Sequence, residues 1–291
     1  LMRPVPNGTT GIGLTPVCGI YANDTDGGNV DVSWYENTTA SYVCQNVNSS
    51  VAANTQQNYT FTDFSGYNTQ YYWKVWVNDT YDNVTKWFTF TTVIQTTKPV
   101  VTTNASTGVE EINATLRGYL ISNGSADTTC GFRFGTSSGS YDENFSKGVI
   151  SNLSEFSNNN GSLTPGQIYY FQAWAENSEG FANGTEHTFL TKPNVTESFT
   201  ATANGETQID LTWTKGTGAN NTYIEWNTVE TWAKGAGNLL YNDTGESTSH
   251  TNLTEGTTYY YQAWSYTTWS SLQQWSDTNA SDNTSTESNK P

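Results

Sequence analysis

Short runs in which apolar and polar residues alternate recur along the whole chain. In "TQIDLTWTK", Ile209, Leu211 and Trp213 share one face, while Gln208, Asp210, Thr212 and Thr214 share the other. "NVDVSWYE" repeats the arrangement with Val30, Val32 and Trp34. A period of two over so few residues predicts half-buried strands of antiparallel sheets. Turn clusters such as "NDTDGGN", "TSSGSYDE" and "NSEGFANG" separate the runs. No stretch has the period of an amphipathic helix.

The pattern itself repeats. Basic-Pro pairs stand at Arg3-Pro4, Lys98-Pro99, Lys192-Pro193 and Lys290-Pro291, a period of about 95 residues. A second landmark keeps the same register. "TQYYWKVWVND", "QIYYFQAWAEN" and "TTYYYQAWSYT" join Tyr71 to Trp76, Tyr169 to Trp174 and Tyr259 to Trp264. These markers predict an all-β chain of three tandem β-sandwich domains, spanning residues 1–97, 98–191 and 192–291. Proline lacks an N–H and holds the preceding residue extended, so each basic-Pro pair suits a short stiff seam. The pair at the end of the chain leads us to expect a further domain beyond Pro291 in a longer array.

"GSLTPGQIYYFQAWAENSEG" resembles the E–F corner and F strand of a fibronectin type III domain. The resemblance places Leu163 and Tyr169 in a tyrosine corner of the second repeat, and Leu253 and Tyr259 in that of the third. It matches Trp213 to the family's B-strand tryptophan. The first repeat departs from it, because "FSGYNTQYYW" lacks the Leu-X-Pro-Gly spacing. The chain also resembles tandem modules of archaeal secreted, glycosylated cell-surface proteins, which implies an extracellular or cell-surface location.

Composition narrows the partners. The 291 residues carry a formal charge of −16, which disfavours nucleic acid and anionic membrane surfaces. No apolar run is long enough to span a bilayer. Asn-X-Ser/Thr sequons number about nineteen where about eight are expected by chance. They start at Asn7, Asn23, Asn37, Asn48, Asn58, Asn78, Asn83, Asn104, Asn113, Asn123, Asn144, Asn152, Asn160, Asn183, Asn194, Asn220, Asn242, Asn252 and Asn279. We expect an exported chain carrying covalent N-glycans. Cys18 and Cys44 are candidates for a disulfide in that compartment, while Cys130 lacks an obvious partner.

Catalytic signatures are scarce, and the expectation is a protein that is not an enzyme. His187 and His250 lie in different repeats. There is no nucleophile elbow, phosphate loop or zinc-spaced cluster. No cofactor is expected apart from calcium, for which Asp24 and Asp26 of "ANDTDGG" offer hard oxygen ligands. An Asp-Gly turn explains the same letters.

Strand parity turns Tyr72 and Trp76, Tyr170 and Trp174, and Tyr260 and Trp264 outward when the corner tyrosines face the core. Such rows suit sugar stacking or contact with another chain, and equally suit cross-strand packing. Trp226, Trp232, Trp269 and Trp275 make the third repeat richest in extra tryptophan. Three functions fit. One is a structural stalk, surface layer or filament that self-associates or meets neighbouring surface domains. The second is an adhesin or carbohydrate-binding array, and the third a set of accessory domains in a secreted enzyme.

Overall fold

The structure is a computed structural model that describes residues 5–25, 27–39, 41–150 and 153–288. Among the described residues all regular structure is β. The first and last basic-Pro pairs lie outside them. The chain divides into two compact units, one ending at Thr96 and the other starting at Thr97. Sheet pairing and buried clusters resolve three sandwich modules, two of them within the second unit.

The first module contains β1 (Thr9–Ile12), β2 (Val17–Ala22), β3 (Asn29–Glu36), β4 (Val43–Ala52), β5 (Thr55–Thr60), β6 (Gln70–Asn78) and β7 (Asn83–Thr92). Its larger sheet runs β1-β7-β6-β3-β4, and among the described residues its smaller sheet is β2-β5. The first strand joins the larger sheet, where β1 pairs parallel to β7 with Thr9 opposite Phe90. Trp34 and Trp73 are fully buried between the sheets with their ring centroids 6.0 Å apart. Alternation drives this packing: Val30, Val32 and Trp34 face in, as the strand period requires.

The second module contains β8 (Val100–Thr107), β9 (Asn113–Ser122), β10 (Thr129–Gly135), β11 (Glu143–Val149), β12 (Glu155–Gly161), β13 (Ile168–Asn177), β14 (Gly180–Asn183) and β15 (His187–Leu190). Here β12-β9-β8 faces β11-β10-β13-β14, with β15 also paired to β13. The third module contains β16 (Glu197–Ala203), β17 (Gln208–Thr214), β18 (Asn221–Asn227), β19 (Asn238–Asp243), β20 (Ser247–Thr251), β21 (Thr258–Trp269), β22 (Leu272–Trp275) and β23 (Ala280–Ser285). Its sheets are β16-β17-β20 and β19-β18-β21-β22, with β23 on β21.

All three modules have a tyrosine corner. Tyr169 accepts the Thr164 N–H at 2.9 Å, and Tyr259 accepts the Thr254 N–H at 3.0 Å. Tyr71 accepts the Gly66 N–H at 2.8 Å, so the module whose sequence departs from the pattern forms the corner too. The turn needs a left-handed residue, supplied by Gly166 (φ 65°), Gly256 (φ 61°) and, in the first module, Asn68 (φ 46°). Asparagine is among the few side chains that tolerate that region. Phe64 replaces the missing leucine and packs on Tyr71 with centroids 4.5 Å apart.

Within the second unit the seam between modules is bonded. Gly166 donates its N–H to the Lys192 carbonyl at 3.0 Å, and Asn194 donates to the Thr217 carbonyl at 3.0 Å. Lys192 Nζ donates to Glu110 and Asp277 at 2.5 Å each. Gly166 and Gly218 meet backbone to backbone: a Cβ on Gly166 would lie 1.9 Å from the Gly218 carbonyl oxygen.

Candidate functional site

The aromatic rows are the first candidates, and the structure separates them. Tyr170 and Tyr260 are half-buried, while Trp174 and Trp264 are only 6% and 7% exposed. This corrects their reading as a sugar platform. Trp174 does face away from the core, but its neighbours cover it. Its ring stacks on Phe181 with centroids 5.6 Å apart, and its Nε1 donates to Asn144 Oδ1 at 2.7 Å. Gly131 makes the room, since a Cβ there would sit 2.5 Å from the indole.

Trp264 packs on Tyr223 of β18, with ring centroids 6.2 Å apart. Glu225, on the same outer face of β18, is fully buried because the 228–237 segment folds over it. Its carboxylate accepts hydrogen bonds from Tyr223 Oη at 2.9 Å, Trp232 Nε1 at 2.9 Å, Gly235 N at 2.7 Å and Gly237 N at 3.2 Å. Four donors satisfy a carboxylate taken out of water. Lys234 then lies 3.4 Å above the Trp275 ring, which packs on Tyr223 and Tyr266. The extra tryptophans of this module mostly pack, and Trp269 alone among Trp226, Trp232, Trp269 and Trp275 is exposed.

Only the first module keeps its outer row open. Tyr72 is 41% exposed and Trp76 half-buried, and Trp87, opposite Lys74 in the ladder, is 61% exposed. Lys74 Nζ sits 4.6 Å from the Tyr35 ring centroid and 4.9 Å from that of Tyr42. This makes an aromatic surface with a cation set into it.

The same module holds a cleft that its sequence does not announce. Its volume is about 600 Å³, between β2 on one side and β6 and β7 on the other. Ile20, Ala22, Val30, Val75, Val77, Val84 and Phe88 give it an apolar lining, and Asp24, Asp79, Asp82 and Lys86 stand at its rim. Asp79 Oδ1 accepts the Tyr81 N–H at 2.7 Å, which ties the 79–82 turn.

The calcium candidate divides. Asp24 Oδ2 accepts the Gly28 N–H at 2.9 Å and so closes its own turn. Asp26 lies outside the described residues. Elsewhere Glu110, Glu111 and Asp277 bring their carboxylates within 4.8 Å of one another. Lys192 already supplies the cation to that group.

The expected Cys18–Cys44 bridge does not form. Cys18 is buried in the core on β2, whereas Cys44 is exposed on β4 and Cys130 is buried. Burial pushes the Cys18 thiol up to about 12 and that of Cys130 to about 11. His250 is buried, with Nδ1 3.1 Å from Tyr261 Oη, and its ring lies 4.6 Å from that of Trp226. Half-buried His187 lies 6.0 Å from Phe171.

Among the described residues, sequon asparagines line the surface with one exception. Asn7, Asn23, Asn58, Asn83, Asn144, Asn183, Asn220, Asn242 and Asn252 are exposed. Asn37, Asn48, Asn78, Asn104, Asn113, Asn123, Asn194 and Asn279 are intermediate. Asn7, Asn37 and Asn220 use Oδ1 to accept the Thr89, Tyr72 and Thr268 N–H groups, which leaves Nδ2 for a glycan. Asn160 is 7% exposed with its Nδ2 enclosed, so it does not fit as an acceptor in the folded chain. Asn152 lies outside the described residues. The exposed sequon at Asn283 is legible in "DNTS" and belongs with the others.

No protein-family model matches the chain, and no curated protein matches it. Among solved structures it is similar to the chicken CNTN1 FN1-FN3 domains at 12% identity and a TM-score of 0.33, over 97% of this chain and 100% of that one. It is also similar to a two-domain fibronectin type III segment from chicken tenascin at 13% identity and a TM-score of 0.39, over 65% of this chain and 99% of that one. Likeness at this level assigns no residue a role.

Proposed function

We propose that the chain is a non-enzymatic extracellular structural segment, a glycosylated piece of a stalk, surface layer or filament. The observation that carries this reading is the bonded seam of the second unit. Paired backbone groups, apposed glycines and a lysine clamped by two carboxylates hold adjacent modules together there. A joint that fixes two neighbouring modules against one another suits an array that carries load. Sequons such as exposed Asn7 and half-buried Asn37, whose Oδ1 atoms take the backbone bonds, support a glycan coat. The test is immunogold labelling of native cells together with glycopeptide mapping of the purified protein. Surface label and glycans at the exposed sequons are expected, and an interior, unmodified protein overturns the reading.

A second reading, adhesion, rests on the open face of the first module. Tyr72 and Trp87 stand exposed beside Lys74. A glycan array probed with the chain and with Trp87→Ala decides it: binding lost in the variant supports adhesion, and no binding by either refutes it.

A further inference from the structure

The open face of the first module carries its own attachment point for sugar. At equal register the three modules treat their outer faces differently. In the second, Gln172 donates to the Gly184 carbonyl at 2.7 Å and Arg133 lies 4.7 Å from the Phe181 ring centroid, so the 181–184 segment lies against the outer row. In the third, the 228–237 segment closes over Glu225. In the first, Tyr72 and Trp87 stay 41% and 61% exposed, and Lys74 rests on the Tyr35 and Tyr42 rings.

The residue across from each outward tyrosine marks the difference. Gly135 stands opposite Tyr170, and Asn227 opposite Tyr260. The matching ladder of the first module ends with Glu36 opposite Trp73, and one step further Asn37 Oδ1 accepts the Tyr72 N–H at 2.9 Å. Asn37 therefore fills the place of Gly135 and Asn227. Of the three it alone starts a sequon, in "NTT", where the others read "GTS" and "NTV". Asn227 instead turns its Oδ1 to the N–H groups of Thr228 and Val229, where the covering segment of the third module begins. The position that launches a protein cover in the third module offers a glycan acceptor in the first.

We propose that an N-glycan on Asn37 lies over this face, its first pyranose rings set against Tyr72 and Trp87. Lys74 is opposite Trp87 in the ladder, and Tyr72 is its neighbour on the same face of β6, so one sugar chain meets all three. A pyranose presents C–H bonds of slight positive charge, which suit the negative face of an aromatic ring. Its hydroxyl oxygens suit the three donors of an ammonium group. Covalent attachment at Asn37 makes the contact intramolecular, which raises the effective concentration of sugar at the rings. The proposal rests on reading the chain as glycosylated and assigns one glycan a place and a task.

The test compares the native glycoprotein with Thr39→Ala, which deletes the sequon but keeps Asn37 and its bond to Tyr72, and with Thr39→Ser, which preserves the sequon. Thr39 is exposed, and the melting curve of each variant reports folding. Glycopeptide mapping reads occupancy, and hydroxyl-radical footprinting reads the rings, with exposed Trp269 of the third module as the internal standard. We expect an occupied Asn37. Tyr72 and Trp87 should oxidise several-fold faster in Thr39→Ala, at the native rate in Thr39→Ser, and Trp269 equally in all three. A bare Asn37 on a chain glycosylated elsewhere overturns this inference and leaves the structural reading standing, whereas a chain without any glycan overturns both. Equal oxidation of the two rings with and without the Asn37 glycan overturns the inference as well. So does a free glycan that binds the native chain but not Trp87→Ala, because the occupant then comes from outside.

Discussion

The Thr191 hydroxyl donates to the Thr164 carbonyl at 2.7 Å and accepts the Gln167 N–H at 2.9 Å. One buried side chain thus ties the last strand of its module to both sides of the tyrosine corner. The other modules repeat the latch. Thr92 bonds the Gly66 carbonyl and the Thr69 N–H, and Thr286 bonds the Thr254 carbonyl and the Thr257 N–H. Valine has the shape of threonine without its hydroxyl, so Thr191→Val leaves two backbone groups without that partner. An orphaned buried group costs about 1–3 kcal/mol, and we expect a loss of about 2 kcal/mol in urea unfolding. A change below a few tenths would show the latch to be incidental.

The seam makes a separate prediction. Lys192→Ala removes a cation that is 20% exposed between two partly exposed carboxylates. Exposure discounts the pair to about 1 kcal/mol. The larger effect is on coupling, because Glu110, Glu111 and Asp277 are then left facing one another. Proteolysis between the second and third modules is expected to accelerate in the variant and not in Lys192→Arg. Equal cleavage of all three chains would remove the seam from the argument.

The thiols separate by exposure. Cys44 is exposed, and Cys18 and Cys130 are buried with thiols shifted upward. Only a thiolate reacts readily. A native chain should therefore take up one equivalent of an alkylating reagent at Cys44, and the other two only on unfolding. Protection of Cys44 together with Cys18, released by reductant, would instead reveal a bridge.

How much of this was legible follows local rules. Strand runs and the corners at Tyr169 and Tyr259 were readable because alternation and the Leu-to-Tyr spacing are properties of neighbouring residues. The corner at Tyr71 was hidden because Asn68 took the left-handed position and Phe64 moved the apolar anchor by one residue. Parity gave the direction of Trp174 but not its burial, which depends on Gly131 and Phe181 from other strands. The cleft was least legible of all. Whether β1 pairs with β2 or β7 is a choice of partner, and periodicity marks a strand without naming its neighbour.

His250 gives the last prediction, on pH. Burial holds its imidazole below the ordinary value of 6.5, and the ring is boxed by Trp226, Tyr259 and Tyr261. The folded chain therefore binds this proton less readily than the unfolded chain does. Below about pH 6.5 the unfolded state holds more protons, so stability is complete above that value and falls as the pH drops through it. Asp210, Asp277, Glu155 and Glu186 are also held low, but their ordinary values are 3.8 or 4.5, so they act in more acid solution. Melting curves between pH 7 and about pH 5 should show the second unit losing stability. His250→Gln should flatten that window and leave the acid limb unchanged. If the variant keeps the full decline, the titrating group is elsewhere.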